Sequence, residues 1–309
     1  MVKERRGDVS ASTDAPVLDK SIIKVMDDAA DKIAEKLGTD VVSYFGPIFD
    51  GSAKLYRDFI EGLPGSGPRT DCVSIFLTTD GGLVEVVEKL VEITRHHYSK
   101  VQFFVPDYAM SAGTIWCMSG DRIFMDYSSS LGPIDPQVMI SDNGRQQWVP
   151  ALGYLDQVER LIDKSAKGIL TDAEFILLQN QDLAKLRRYE QARDLSVELI
   201  KKWLVQYKFA GWTKHRSKGP NKGKGVTLQE KMDRAETIAT QLGDNKIWHS
   251  HSRMIGMNAL RAELRLEIED FRQDVSLGDE IRVYSDVISD YARRQGYPIY
   301  LHGSGKDAL

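Results

Sequence analysis

Two patterns of buried strand, tight turn and helix limit the possible folds of this chain more than any other feature. One strand pattern spans Cys72 to Leu77 and leads into Thr78-Thr-Asp-Gly-Gly82, and the other spans Val101 to Val105 and leads into Tyr108-Ala-Met-Ser-Ala-Gly-Thr114. Continuous apolar runs of this length are typical of strands buried on both faces of a parallel sheet. Right-handed crossovers bring the carboxyl ends of such strands to one sheet edge, where α/β proteins bind ligands. The sequence therefore predicts an α/β fold whose two turns face one pocket.

Ser111 lies at the second of these turns, between small residues and before an apolar helix pattern. A serine in this position can act as a nucleophile, because free backbone N–H groups at a helix start can hold an oxyanion. The N–H groups of Gly82 and Ala112 are the candidates for that oxyanion hole, since a glycine turn lets the backbone approach a ligand closely. The alternative is that Ser111 only caps the helix, as serines often do.

The chain divides by composition into three regions. Residues 1–16 are polar and are expected to be disordered. Residues 17–150 are expected to form the α/β core, with an amphipathic helix over 17–37 at its start. Residues 151–309 are rich in helix formers and predict a mainly helical region, with a last helix from about 279 to 295. The tail that begins at Gly303 is expected to be frayed.

Composition argues against several classes of protein. The chain is 28% charged and 42% hydrophobic with a net charge of −4, so we expect no nucleic-acid partner despite a basic loop over 213–225. The two cysteines lie in apolar runs, so we expect no disulfide. The sequence has no cluster of residues with the spacing of metal ligands, so we expect no metal and no other cofactor. No apolar stretch reaches the roughly 18 residues of a membrane span, and no secretory signal is evident. The expected location is therefore the cytoplasm.

Four segments together resemble a known family. They are Asp80-Gly-Gly82, Met110-Ser-Ala-Gly-Thr114, Gly120-Asp-Arg-Ile123 and Leu131-Gly-Pro-Ile-Asp-Pro-Gln137. The sequence resembles the ClpP/crotonase superfold and, within it, the serine dehydrogenase proteinase family, which is related to the ClpP and signal-peptide-peptidase A serine peptidases. The resemblance implies stacked ββα units with a mostly parallel sheet, a helical C-terminal elaboration and the activity of a serine endopeptidase.

The family pattern implies a triad in the chain order Ser, Asp, His. Matched position by position, Ser111 is the nucleophile and Asp135 the acid. The base then comes from the C-terminal half, with His251 as the first candidate and His249 as the second. A base is required because a serine hydroxyl is a weak nucleophile until its proton is removed.

Three alternatives stay open at this point. Relatives with a Ser–Lys dyad point to Lys164 or Lys167 as the base, although a catalytic lysine needs burial and both lie in a charged helix pattern. A crotonase-like enzyme would use the same N–H pair to stabilise the enolate of an acyl-CoA. A catalytically inactive scaffold or sensor would need no nucleophile.

The resemblance also implies partners. We expect peptides or unfolded proteins as substrates, and a homo-oligomer in which residues 151–309 complete the active site and make contacts between subunits. Because the helix over 17–37 is amphipathic rather than apolar throughout, peripheral membrane association is a weaker expectation than packing on the core.

Overall fold

The computed structural model describes residues 16–63, 70–134, 137–142, 145–216 and 220–305, with the backbone alone given for the described part of 137–152. The segment expected to be disordered, 1–16, lies outside this range except for its last residue. Asp135 also lies outside it, so the structure does not describe the predicted acid.

Strands of the described chain form a six-stranded sheet, a three-stranded sheet and a hairpin. In chain order the strands are β1 Asp40–Phe45, β2 Cys72–Thr78, β3 Lys100–Phe104, β4 Tyr108–Ala109, β5 Arg122–Met125, β6 Ser130–Leu131, β7 Gln137–Asp142, β8 Arg145–Pro150, β9 Ile255–Gly256, β10 Glu269–Asp270 and β11 Tyr300–Gly303. The large sheet has the order β10-β5-β3-β2-β1-β11 and is parallel except for β11. The predicted α/β fold with a mostly parallel sheet is confirmed.

Helices cover both faces of the large sheet. In chain order they are α1 Val17–Leu37, α2 Ser52–Glu61, α3 Val84–His97, α4 Ala112–Cys117, α5 Ala151–Ala166, α6 Asp172–Gln179, α7 Leu183–Trp203, α8 Leu228–Leu242, α9 Asn245–Trp248, α10 Met257–Ala262 and α11 Val275–Gln295. Helices α1 and α11 pack on one face, and α2, α3, α4, α7, α8 and α10 contribute to the core on the other. No helix in the described ranges is both long and apolar enough to cross a membrane.

The strands alternate their side chains between these two cores, as the period of two requires. On the face under α1 and α11, Phe76, Phe104 and Phe124 are cross-strand neighbours in register. Their rings stack in a row, with centroids 4.9 Å and 4.4 Å apart and planes within 8° of parallel. The row fixes the register of the three central strands and hence the level at which their carboxyl ends stop.

Residues 303–305, at the start of the C-terminal tail, are not frayed, so the prediction is wrong for these residues. Strand β11 pairs antiparallel with β1, and the N–H of Ser304 donates to Val41 O at 3.0 Å. Within β11, His302 is buried between Asp27 of α1, with Nε2 and Oδ1 3.0 Å apart, and Tyr284 of α11, with Nδ1 and Oη 2.8 Å apart. The tail is held because it closes one sheet edge and joins both helices of that face.

Helix ends in the C-terminal region follow capping residues rather than apolar spacing. Residues 153–203 lie in three α-helices and their connections, and Thr171 starts α6 with a capping box while Asp182 caps α7. The last helix begins at Val275 instead of the expected position near 279, because the Asp274 side chain accepts from the N–H of Leu277 at 3.0 Å. The region is mainly helical, yet it also supplies β9, β10 and β11.

Asp126 ties the end of β5 to α11 through a fully buried carboxylate. Its Oδ1 accepts from the N–H groups of Ser128 at 2.7 Å and Ser129 at 3.1 Å, and its Oδ2 accepts from Arg282 Nε at 2.8 Å. Burial by itself would raise the pKa of Asp126. The hydrogen bonds from Ser128, Arg282 and Ser129 outweigh it, and they hold the pKa below its ordinary value.

This depressed pKa makes the stability of the fold pH-dependent in a defined direction. The ionised Asp126 carboxylate stabilises the fold fully above its unfolded-state pKa of about 4. This stabilisation is lost as the pH falls through its lower folded-state pKa. We predict that Asp126→Asn lowers the free energy of unfolding at pH 7 by about 1.5–3 kcal/mol and flattens its decline below pH 4. Urea denaturation at pH 7, 4 and 3 measures both effects. Asp290→Asn, which removes an exposed partner of Arg294, is the control and should change stability by less than about 0.5 kcal/mol.

Candidate active site

Ser111 has a strained backbone and does not cap its helix. Its φ is +51° and its ψ is −114°, a region that residues with a side chain rarely occupy. It precedes α4, but its side chain makes no capping hydrogen bond. No residue within the described ranges hydrogen-bonds its half-buried hydroxyl. The capping alternative is therefore excluded for this conformation.

The glycine turn after β2 lies directly against Ser111. A Cβ placed on Gly81 would lie 2.9 Å from the Cβ of Ser111 and 2.7 Å from Met110 O, and φ of Gly81 is +100°. Backbone hydrogen bonds join the two turns, because Thr79 N–H donates to Tyr108 O at 3.1 Å and Met110 N–H donates to Thr79 O at 2.9 Å. Glycine is required at position 81 by both conformation and space. The two turns that the sequence placed at one sheet edge are in contact.

Two backbone N–H groups at this contact have no carbonyl partner among the residues described. Ala112 N–H opens α4, where a helix leaves its first donors unsatisfied. Around Gly82, Ile48 N–H donates to Gly81 O and Leu83 N–H donates to Ile48 O, so the Gly82 N–H takes no part in that ladder. The Gly81 N–H is already bonded to the Thr79 hydroxyl at 3.0 Å. The two N–H groups without a backbone partner thus belong to Ala112, which follows Ser111, and to Gly82, which follows the Gly81 that contacts Ser111.

The three-stranded sheet gathers the segments that carry the other candidates. Strand β6 pairs parallel with β4, and β9 pairs antiparallel with β6. Ser111 follows β4 by two residues, and position 135 follows β6 by four. Strand β9 runs in the opposite direction, so its start lies at the end of the sheet where β4 and β6 finish. His251 lies four residues before β9 and is therefore at that same end. The topology thus directs Ser111, His251 and the segment that ends at Ile134 to one end of this sheet.

The two candidate histidines differ in their surroundings. His249 is exposed and has a left-handed conformation with φ of +62° at the end of α9. His251 is half-buried in the following turn. Backbone placement therefore favours His251 over His249 as the residue that can face a buried partner.

The lysine candidates lie in a different setting. Lys164, near the end of α5, pairs with Glu174 of α6, with Nζ and Oε1 2.5 Å apart. The pKa of Glu174 is lowered to about 2, chiefly by its hydrogen bond from Lys164. Lys167 is exposed. An ion pair favours the charged form of a lysine, which is the opposite of what a general base needs.

Thr114 is a site residue whose role was missed at the level of sequence. Its buried hydroxyl lies 2.8 Å from Ala109 O and 2.9 Å from Gly132 O, and it accepts from the Gly132 N–H at 2.9 Å. It therefore joins α4 to the segment that leads to position 135. The available signal was a hydroxyl within an otherwise apolar helix start, which needs a partner when buried.

Among the residues described, no group of three or more His, Cys, Asp or Glu side chains is arranged to hold a metal ion. Cys117 is buried, and burial raises the pKa of its thiol, so it behaves as a small apolar side chain.

With this geometry in place, comparison with known families identifies the chain. The model of the ClpP-like SDH-type serine proteinases matches residues 57–219, which is more than half of the 309 residues. The chain belongs to this family. The family predicted from the sequence motifs is confirmed.

The individual relatives cover shorter segments. Two uncharacterized proteins of Methanocaldococcus jannaschii are similar, one 34% identical over 73 residues and the other 33% identical over 115 residues. These segments cover 24% and 34% of this chain and 26% and 37% of the relatives. The chain therefore spans well under half the length of these relatives.

Two solved structures were compared as well. An alanine mutant of the membrane-bound stomatin-specific protease 1510-N is 20% identical, with 41% of this chain and 63% of that chain covered and a TM-score of 0.31. A ClpP1 mutant from Listeria monocytogenes is 18% identical, with 54% and 76% covered and a TM-score of 0.28. At these scores the likenesses support no inference about the site.

We predict that Thr114→Val lowers the free energy of unfolding by about 1–3 kcal/mol, because it leaves the buried Gly132 N–H without an acceptor. Thr114→Ser keeps the hydroxyl and should lose about 0.8 kcal/mol for the missing methyl group. Urea denaturation of both variants measures the difference. Equal stability of the valine and serine variants would show that the hydroxyl does not hold the two segments together.

Proposed function

We propose that the protein is a serine endopeptidase in which Ser111 is the nucleophile, His251 the general base and Asp135 the residue that orients the base. Membership of the ClpP-like SDH-type serine proteinases supports the reaction class. The convergence of the three segments at one end of the β4-β6-β9 sheet supports the assignment of the triad. The assignments of Asp135 and His251 rest on the family pattern.

The conformation of Ser111 is the observation that carries the proposal. A backbone at φ +51° and ψ −114° is strained for a serine, and the residue forms no cap that would offset the strain. Strained backbone clusters at functional sites, and we propose that here it directs Oγ towards the N–H groups of Gly82 and Ala112. A scaffold without chemistry has no use for this arrangement.

The proposed reaction follows from these positions. Ser111 Oγ forms a bond to the scissile carbonyl carbon while His251 takes its proton, and the carbonyl oxygen becomes an oxyanion held by the Gly82 and Ala112 N–H groups. The C–N bond then breaks, and the proton passes from His251 to the leaving amine. A water molecule repeats the sequence on the acyl-enzyme to release the acid and free Ser111.

A fluorophosphonate probe tests the nucleophile directly. We predict that it labels Ser111 in the purified protein and that Ser111→Ala abolishes labelling. Ser165→Ala, at an exposed serine of α5, is the matched control and should leave labelling unchanged. Mass spectrometry of the labelled peptide identifies the residue. Absence of labelling, together with proteolysis by Ser111→Ala equal to that of the wild type, would exclude the proposed mechanism.

The proposed substrates are peptides or unfolded proteins, and the proposed assembly is a homo-oligomer. Helix α6 supports self-association, because none of its residues is buried and Phe175, Ile176 and Leu177 are each more than half exposed. Apolar residues concentrated on an exposed element are typical of interaction surfaces.

We predict that light scattering gives a mass at a multiple of 34.8 kDa and that Ile176→Glu shifts it towards a single chain. A wild-type mass of one chain would contradict self-association. If the mass is a multiple of one chain and Ile176→Glu leaves it unchanged, the contact between subunits lies outside α6.

A further inference from the structure

The last turn of α8 anchors two different chain segments. Ile134 N–H donates to Leu242 O at 3.2 Å, and the indole Nε1–H of Trp248 donates to Gln241 O at 2.7 Å. The final carbonyl groups of a helix lack partners within the helix, so they are available to hold other parts of the chain. Ile134 directly precedes position 135, and Trp248 lies three residues before His251. One helix end therefore holds both segments that carry the predicted acid and base.

Trp248 is fixed more firmly than the turn around it. Its side chain is 3% exposed and belongs to the main core, while His249, Ser250 and Ser252 are exposed. The short helix α9 is started by Asp244, whose side chain accepts from the Lys246 N–H at 2.7 Å. It ends at His249 in a left-handed conformation that turns the chain towards His251. Trp248 is thus a fully buried attachment of a turn in which His251 is half-buried and His249, Ser250 and Ser252 are exposed.

We infer that Trp248 is a positioning residue for His251, and that its indole N–H sets the direction in which the histidine approaches Ser111. The inference rests on the proposed function. A base on an exposed turn gains reactivity only when the turn is held in one geometry, and a displacement of about 1 Å can lower a rate by about a hundredfold. The hydrogen bond from Trp248 to Gln241 attaches the turn that carries His251 to the last turn of α8. The same turn of α8 also holds the segment that leads to position 135.

The test measures the rate constant for fluorophosphonate labelling of Ser111. Trp248→Phe keeps an aromatic ring in the core but removes the N–H, and the expected result is labelling that is about tenfold to a hundredfold slower. Replacement of Trp248 by benzothienylalanine, in which sulfur takes the place of the N–H, keeps the shape and should show the same loss. Trp203→Phe is the control, because Trp203 is equally buried in the same core at 2% exposure. It should label at the wild-type rate.

The decisive comparison uses a His251→Ala background. If Trp248 acts through His251, adding Trp248→Phe to His251→Ala slows labelling no further, because residues that act as a unit are not additive. An equal slowing in both backgrounds, or a benzothienylalanine variant that labels at the wild-type rate, would overturn the inference. Either result would leave Ser111 as the nucleophile. Failure of wild-type Ser111 to label would instead overturn the proposed function itself.

Discussion

The contact between the glycine turn and the serine turn is the constraint on which the site depends. Thr79 exchanges backbone hydrogen bonds with Tyr108 and Met110, and this brings Gly81 to a distance at which no side chain fits beside Ser111. The contact requires that β2 and β3 end at the same level, which the stacked row of Phe76, Phe104 and Phe124 enforces from within the sheet. The packing of the three phenylalanine rings in the core therefore helps to hold the strained backbone of Ser111 in place.

The central fold and the contact between the glycine turn and the serine turn could be predicted because their signals are local. Buried strands such as Cys72–Thr78 are visible as apolar runs, and a glycine pair or a serine after such a run marks the carboxyl edge of a parallel sheet. The predicted strand from Cys72 to Leu77 agrees with β2 to within one residue. In each case, a short stretch of sequence contains both the element and the reason for it.

The missed features depend on contacts between residues distant in sequence. The tail at 303–305 reads as a frayed end because its partners, Val41 and Asp31, lie more than 250 residues earlier. Thr114 reads as part of an apolar helix until Gly132 is placed beside it. The indole of Trp248 reads as core, and only the position of Gln241 O shows that its N–H fixes a turn. No local pattern encodes such pairings, which arise from the tertiary fold.

The pairing of β11 with β1 also orders events during synthesis. Strand β1 is made about 250 residues before β11, yet its outer edge is covered by residues 300–303. Until those residues leave the ribosome, β1 presents unpaired N–H and C=O groups on an apolar strand, a form of edge that readily pairs with other chains. A nascent chain that has already assembled its serine turn therefore still has an open, aggregation-prone edge.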